Sequence, residues 1–121
     1  MTQPLAVIVE DDAKLADIFS EAVKAAGFLT MVAQDGRFAI ATLQTATPAL
    51  ILLDLHLPDV PGSEVLAYIR QQPRLQDAII MLATADAWQA ETLRADVDFV
   101  LMKPISFLQL RDLTARLLHS P

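Results

Sequence analysis

Short apolar runs alternate along the chain with longer stretches in which apolar residues recur at every third or fourth position. The runs Leu5 to Val9, Leu29 to Ala33, Leu50 to Asp54, Ala78 to Thr84 and Phe99 to Met102 have the length and β-rich content of strands. The third and fourth are apolar nearly throughout, which is the pattern of central strands covered by helices on both faces. Five strand–helix pairs in succession predict repeated βαβ units around a parallel sheet.

The helical stretches carry their own boundary signals. After Asp12, the residues Leu15, Ile18, Phe19, Ala22, Val23 and Ala26 form a helical stripe that stops at Gly27. The turn dipeptide Asp35-Gly36 opens a second helix from Arg37 to Thr45 that buries Ala39, Ile40 and Leu43, and Pro48 resets the chain for the third strand. A third helix, Ser63 to Gln72, places Val65, Leu66 and Ile69 on one arc between Gly62 and Pro73. Ser106 caps a last helix whose core stripe is Phe107, Leu110, Leu113, Leu117 and Leu118, while Leu108 points away from it and hints at a partner surface. His119-Ser120-Pro121 reads as a frayed end with no output domain beyond it.

Bulk composition narrows the classes. A length of 121 residues with 54% hydrophobic content suits one domain, residues 1–121, with a closed core. The chain has no apolar run long enough to span a bilayer, and its first residues lack the features of a signal peptide, so a soluble cytoplasmic protein is expected. Without cysteine there are no disulfides or thiolate metal sites, so a bound metal must be a hard one. The net charge of −6 and the scattering of nine Lys and Arg argue against direct nucleic-acid contact and for a protein partner.

Glu10, Asp11, Asp54, Thr84 and Lys103 each fall where a strand-like run ends. A parallel sheet would gather these three carboxylates, one hydroxyl and one ammonium at the edge where open α/β sheets bind ligands. Taken singly, each has an ordinary structural account. Glu10-Asp11-Asp12 would serve as helix capping, Asp54 as a loop cap, Thr84 as a strand-end threonine, and Lys103-Pro104 as a solvated strand end with a cis peptide possible. Taken together they match phosphoryl transfer to an aspartate: acids to hold a divalent cation, one of them nucleophilic, and donors for phosphoryl oxygens. In this division Asp12 begins the helix while Glu10 and Asp11 face Mg²⁺.

The motifs VIVEDD at 7 to 12, ILLDLHLPDVPG at 51 to 62, MLATAD at 81 to 86 and LMKP at 101 to 104 resemble the receiver domain of two-component response regulators over essentially the whole chain. The resemblance implies a single doubly wound α/β fold, a five-stranded parallel sheet in the flavodoxin-like order 2-1-3-4-5. It implies that Asp54 accepts a phosphoryl group from a histidine of a sensor kinase or phosphotransfer protein, the chain catalysing only its own phosphorylation and dephosphorylation. Asp11 would bind Mg²⁺ (or Mn²⁺) directly and Glu10 through water, with Asp54 and the backbone carbonyl of His56 as further ligands. Lys103 would pair with the phosphoryl group and the Thr84 hydroxyl would move to bond it. No membrane is implied, the downstream partner is undefined, and a phosphorylation-dependent homodimer is left open.

Three departures from the family pattern bear on switching. The aromatic that often stands three residues before the lysine is Val100 here, and Phe99, one residue earlier, is expected on the opposite side of the strand. The interval from Thr84 to Lys103 is shorter than usual by about three residues, close to one helical turn, so the helix-four region, Ala85 to Asp98, is expected to be short or irregular. His56 and Asp86, each two residues after a site residue, occupy positions that tune phosphoryl lifetime in the family. His56 either covers the site mouth or is a solvent-facing loop residue. Trp88 is expected to pack in the core or at a helix end rather than to anchor a partner.

Other function classes fit less well. A receiver-fold interaction module that acts without phosphate is the main alternative, favoured by the short helix-four region and opposed by the intact acids and lysine. A haloacid-dehalogenase-like phosphatase wants a second acid two residues after its nucleophile, where this chain has His56. A dinucleotide-binding module lacks the glycine-rich turn after the first strand.

Overall fold

The computed structural model describes residues 3–118. Its strands are β1 (Leu5–Val9), β2 (Leu29–Ala33), β3 (Leu50–Asp54), β4 (Ile79–Thr84) and β5 (Phe99–Met102), and its helices α1 (Ala13–Ala25), α2 (Gly36–Thr45), α3 (Gly62–Gln71), α4 (Ala87–Leu93) and α5 (Phe107–Leu118). Single 3-10 turns at Pro73–Leu75 and Arg94–Asp96 precede β4 and β5. The strands are all parallel and lie in the order β2-β1-β3-β4-β5, as expected. No helix among the described residues is long and apolar enough to cross a membrane. The expected fraying of residues 119–121 lies outside the described residues.

Alternation along each strand divides the core in two. Val7, Val9, Ile51, Leu53, Ile80 and Leu82 face α2 and α3, whereas Ala6, Ile8, Leu50, Leu52, Met81 and Ala83 face α1 and α5. Burial on both faces is why β3 and β4 read as continuous apolar runs. Asp12 caps α1 by accepting the Leu15 N–H at 3.0 Å, and Asp35 caps α2 by accepting the Phe38 N–H at 2.7 Å. Gly27 closes α1 with φ 113°, a conformation strained for any residue with a Cβ.

Several expectations are corrected. Ile18 is 42% exposed, because α1 is rotated so that Ser20 turns inward and shares a 2.8 Å hydrogen bond with Thr30 of β2. In α5, Phe107 is exposed and Thr114 takes the buried place, its hydroxyl donating to the Leu110 carbonyl at 2.7 Å. Trp88 does not pack into the core; it is 79% exposed. Boundaries shift by one residue in α2, α3 and β4; Ala78 stays in the preceding turn, its N–H donating to Leu75. The shortened fourth helix is present: α4 has seven residues, of which Ala90 is the buried one, and decays into the 3-10 turn at Arg94.

Candidate functional site

Parallel pairing carries every strand's carboxyl end to one side of the sheet, and the register aligns those ends. Val9 lies beside Leu53, Asp54 beside Ala83, and Thr84 beside Met102. Glu10, Asp54, Thr84 and Lys103 are thereby brought to one edge from four different strands. Lys103 is fixed there by its own N–H, which donates to the Thr84 carbonyl at 2.9 Å, and a cis peptide joins it to Pro104.

Glu10, Asp11 and Asp54 each turn a carboxylate oxygen to a common point, the three oxygens lying within 4.8 Å of one another. Glu10 and Asp54 are buried and Asp11 is exposed, so the cluster has two inner walls and one side open to water. Asp12 stays out of it, as its carboxylate caps α1. The Lys103 ammonium stands 2.8 Å from Glu10 Oε1 and 3.5 Å from Asp54 Oδ2. Three carboxylates facing one ammonium leave excess negative charge in a partly dry place, and their oxygen-only donor set fits a small hard dication such as Mg²⁺.

The electrostatics follow from that crowding. Burial, reinforced by the Asp54 charge, raises the Glu10 carboxyl to about 7 against the pull of its bond from Lys103. Burial opposes the Lys103 charge, yet the Glu10 hydrogen bond and the Asp54 carboxylate together hold the ammonium above its ordinary value. A bound dication would return Glu10 to the carboxylate form.

Backbone contacts fix the nucleophile candidate. Asp54 Oδ1 accepts the His56 N–H at 3.1 Å, while the His56 side chain faces solvent. The first residue of α3 presses on the same segment: the Gly62 N–H donates to the Leu55 carbonyl at 3.1 Å, and a Cβ on Gly62 would lie 2.5 Å from the Asp54 carbonyl oxygen. Only glycine permits that approach.

Thr84 is fully buried, and its Oγ1 accepts the Asp86 N–H at 3.0 Å. Asp86 caps α4, so the hydroxyl is tied to the start of the short helix. Val100 and Phe99 pack on opposite faces of the sheet, as the strand period requires, and neither brings an aromatic ring to the Thr84 side as the family pattern does.

One anchoring residue escaped the sequence reading. Asp59, in the loop between β3 and α3, accepts the N–H groups of Gly36 and Arg37 at 2.8 and 3.0 Å. Desolvation works against its charge, but the N–H groups of Gly36, Arg37 and Val60 together outweigh it and hold the carboxyl at about 2. The bond ties the loop after the nucleophile to the start of α2. Its partners are more than twenty positions away in sequence, so no local pattern announces it.

Comparison with known proteins bears on the family and the fold. Residues 6–115 match the family described as the response regulator receiver domain. The chain is 32% identical to the Regulator of RpoS of Escherichia coli K12 over 98% of its own length and 37% of the relative's. It is 31% identical to the DNA-binding response regulator MtrA of Mycobacterium tuberculosis H37Rv over 81% of its length and 43% of the relative's. It thus spans well under half of these curated relatives. Among solved structures, the chemotaxis response regulator CheY4 of Vibrio cholerae superimposes with a TM-score of 0.86 at 24% identity, covering 95% of this chain and 98% of that one. The response regulator TrrA of Thermotoga maritima, solved in complex with Mg²⁺-BeF, gives 0.82 at 24% identity, covering 94% and 98%. At that identity these two structures speak to the fold.

Proposed function

Because the chain belongs to the response regulator receiver domain family, we propose that Asp54 is its phosphoacceptor and that phosphorylation switches a protein-interaction surface. The observation that carries this reading is the convergence of Glu10, Asp11 and Asp54 on one point with Lys103 beside them. The donor is a phosphohistidine of a sensor kinase or phosphotransfer protein. An Asp54 oxygen bonds to phosphorus as the bond from phosphorus to the histidine nitrogen breaks, and that nitrogen keeps the electron pair. Asp54 is already an anion in this role, so no base is needed to activate it, and the remaining tasks are positioning and charge neutralisation.

Each residue has a task in that scheme. The His56 N–H and the close approach of Gly62 hold the Asp54 carboxylate in place. Glu10, Asp11, Asp54 and the His56 backbone carbonyl would hold Mg²⁺ (or Mn²⁺), which supplies positive charge to the phosphoryl oxygens. Lys103 leaves Glu10 to pair with the phosphoryl group, and Thr84 gives up its bond from Asp86 to donate to the same group. His56 and Asp86, each two residues after a site residue, tune lifetime through water access. The protein works in the cytoplasm, where its donors are found. The MtrA relative is named as DNA-binding, but the net charge of −6 argues against direct nucleic-acid contact by these 121 residues.

The test is titration with beryllofluoride and Mg²⁺, followed by backbone amide NMR. The wild type should shift at residues 54, 84 and 103, and Asp54→Asn should not. A silent wild type that also binds no Mg²⁺ would leave a phosphate-independent interaction module as the better reading.

A further inference from the structure

The cap of α4 is half made. Asp86 Oδ1 accepts the Gln89 N–H at 3.0 Å, and Asp-x-x-Gln is the spacing at which the glutamine carbonyl reaches back to the cap residue's own N–H. That return bond is missing, because the Asp86 N–H is taken by Thr84 Oγ1 at 3.0 Å. Gln89 Oε1 is buried with no hydrogen-bond partner, and among the described residues it is the one buried side-chain nitrogen or oxygen left so. A buried carbonyl without a donor is unfavourable, and it calls for an explanation.

We propose that Gln89 is the acceptor to which the Asp86 N–H is handed when Thr84 turns toward a phosphoryl group on Asp54. One hydrogen bond breaks, from Asp86 N–H to Thr84 Oγ1, and one forms, from Asp86 N–H to Gln89 Oε1. The Thr84 side chain is released to swing its O–H toward Asp54, and the Asp86 N–H is not left stranded. The exchange completes the cap of a helix of only seven residues at the moment it would otherwise lose support. Gln89 touches neither phosphoryl group nor metal in this scheme; it is a positioning residue that lowers the cost of moving Thr84. The inference rests on the reading of Thr84 as the phosphoryl-binding hydroxyl, but its first test does not.

In Thr84→Ala the hydroxyl is gone without any phosphoryl group, so the Asp86 N–H should pass to Gln89 and stay protected from hydrogen exchange. Adding Gln89→Met should then speed exchange at Asp86 by about tenfold, the factor for losing one net hydrogen bond, while adding Gln89→Glu should not. Equal exchange in Thr84→Ala and Thr84→Ala/Gln89→Met overturns the handover. In the Thr84 background, Gln89→Met should leave resting stability unchanged or higher and weaken beryllofluoride binding by about three- to tenfold, with Gln89→Glu restoring it. A Gln89→Met protein that is destabilised or unfolded also overturns the proposal, since Gln89 would then have a resting partner. If the wild type ignores beryllofluoride while Asp86 exchanges as stated, the phosphoacceptor reading fails and takes the trigger of the exchange with it, while Gln89 keeps its place as the second acceptor for the Asp86 N–H.

Discussion

The Lys103 ammonium lies 2.8 Å from Glu10 and 3.5 Å from Asp54, so at rest the lysine is hydrogen-bonded to Glu10 and holds only a longer ion pair with Asp54, the proposed phosphoacceptor. Glu10 is therefore contested by a proton, Lys103 and any incoming dication, and Lys103 must change partners for phosphoryl transfer. Glu10 and Asp54 are both buried, so their balance is set by few groups and is open to test.

Mg²⁺ affinity should depend on pH through Glu10. Its carboxyl is raised from 4.5 to about 7, so below that value the metal-free protein holds a proton that Mg²⁺ must expel. Affinity should rise by up to about tenfold per pH unit from pH 5.5 toward 7 and then level off. The metal-free fold should show the opposite trend. It binds the extra proton between pH 4.5 and 7, so this group's contribution to stability falls as pH rises through that window. Isothermal Mg²⁺ titration of wild type and Glu10→Gln checks the affinity and urea unfolding of the metal-free proteins checks the stability, and a flat wild-type profile over this range contradicts the account.

Replacing Lys103 by Met should leave Glu10 and Asp54 facing each other without a cation. Breaking a largely buried pair in this way should destabilise the metal-free protein at pH 8 by about 3 kcal/mol, and less near pH 6, where Glu10 can take up a proton. Mg²⁺ should bind the variant more tightly than wild type, since the competing ammonium is gone, while phosphoryl transfer slows. Urea unfolding with and without Mg²⁺ measures this, and weaker Mg²⁺ binding in Lys103→Met would refute the competition.

Gly62→Ala should damage the site from behind. The added Cβ would meet the Asp54 carbonyl oxygen at 2.5 Å and Leu55 Cα at 2.6 Å, both backbone atoms that cannot rotate aside. A loss of about 1–3 kcal/mol is expected, together with weaker Mg²⁺ binding because Asp54 is displaced. A thermal midpoint and Mg²⁺ affinity equal to wild type would show that α3 does not hold the nucleophile.

Trp88 should behave as a surface residue. At 79% exposure its indole should be readily quenched by acrylamide, and Trp88→Ala should change stability by less than about 0.5 kcal/mol. Strong protection from the quencher would return the side chain to the core.

What the sequence made legible follows from period and position. Strand ends are marked where apolar runs stop, so Glu10, Asp54, Thr84 and Lys103 could be assigned to one sheet edge, and the short Thr84 to Lys103 interval already implied a reduced α4. A helical stripe, however, gives a direction without a width. Ile18 and Phe107 lie at stripe edges, and which edge is buried depends on hydrogen bonds that polar residues find: Thr30 of β2 draws Ser20 inward, and Thr114 can be buried because its hydroxyl bonds its own helix. Trp88 stays outside the core because size favours burial only where enough structure surrounds the ring, and α4 has one buried residue to offer. Asp59 and the Lys103–Glu10 bond join residues far apart in sequence, and such pairings leave no periodic trace.

The central claim is that Asp54 carries the phosphoryl group beside a bound dication. Intact-mass spectrometry after incubation with a small acyl-phosphate donor tests it most directly. With Mg²⁺ the wild type should gain one phosphoryl group, mapped to Asp54 and removed by hydroxylamine. Asp54→Asn, or wild type with chelator, should gain none. A phosphoryl group that forms without a divalent cation, or that maps to another residue, would contradict the account.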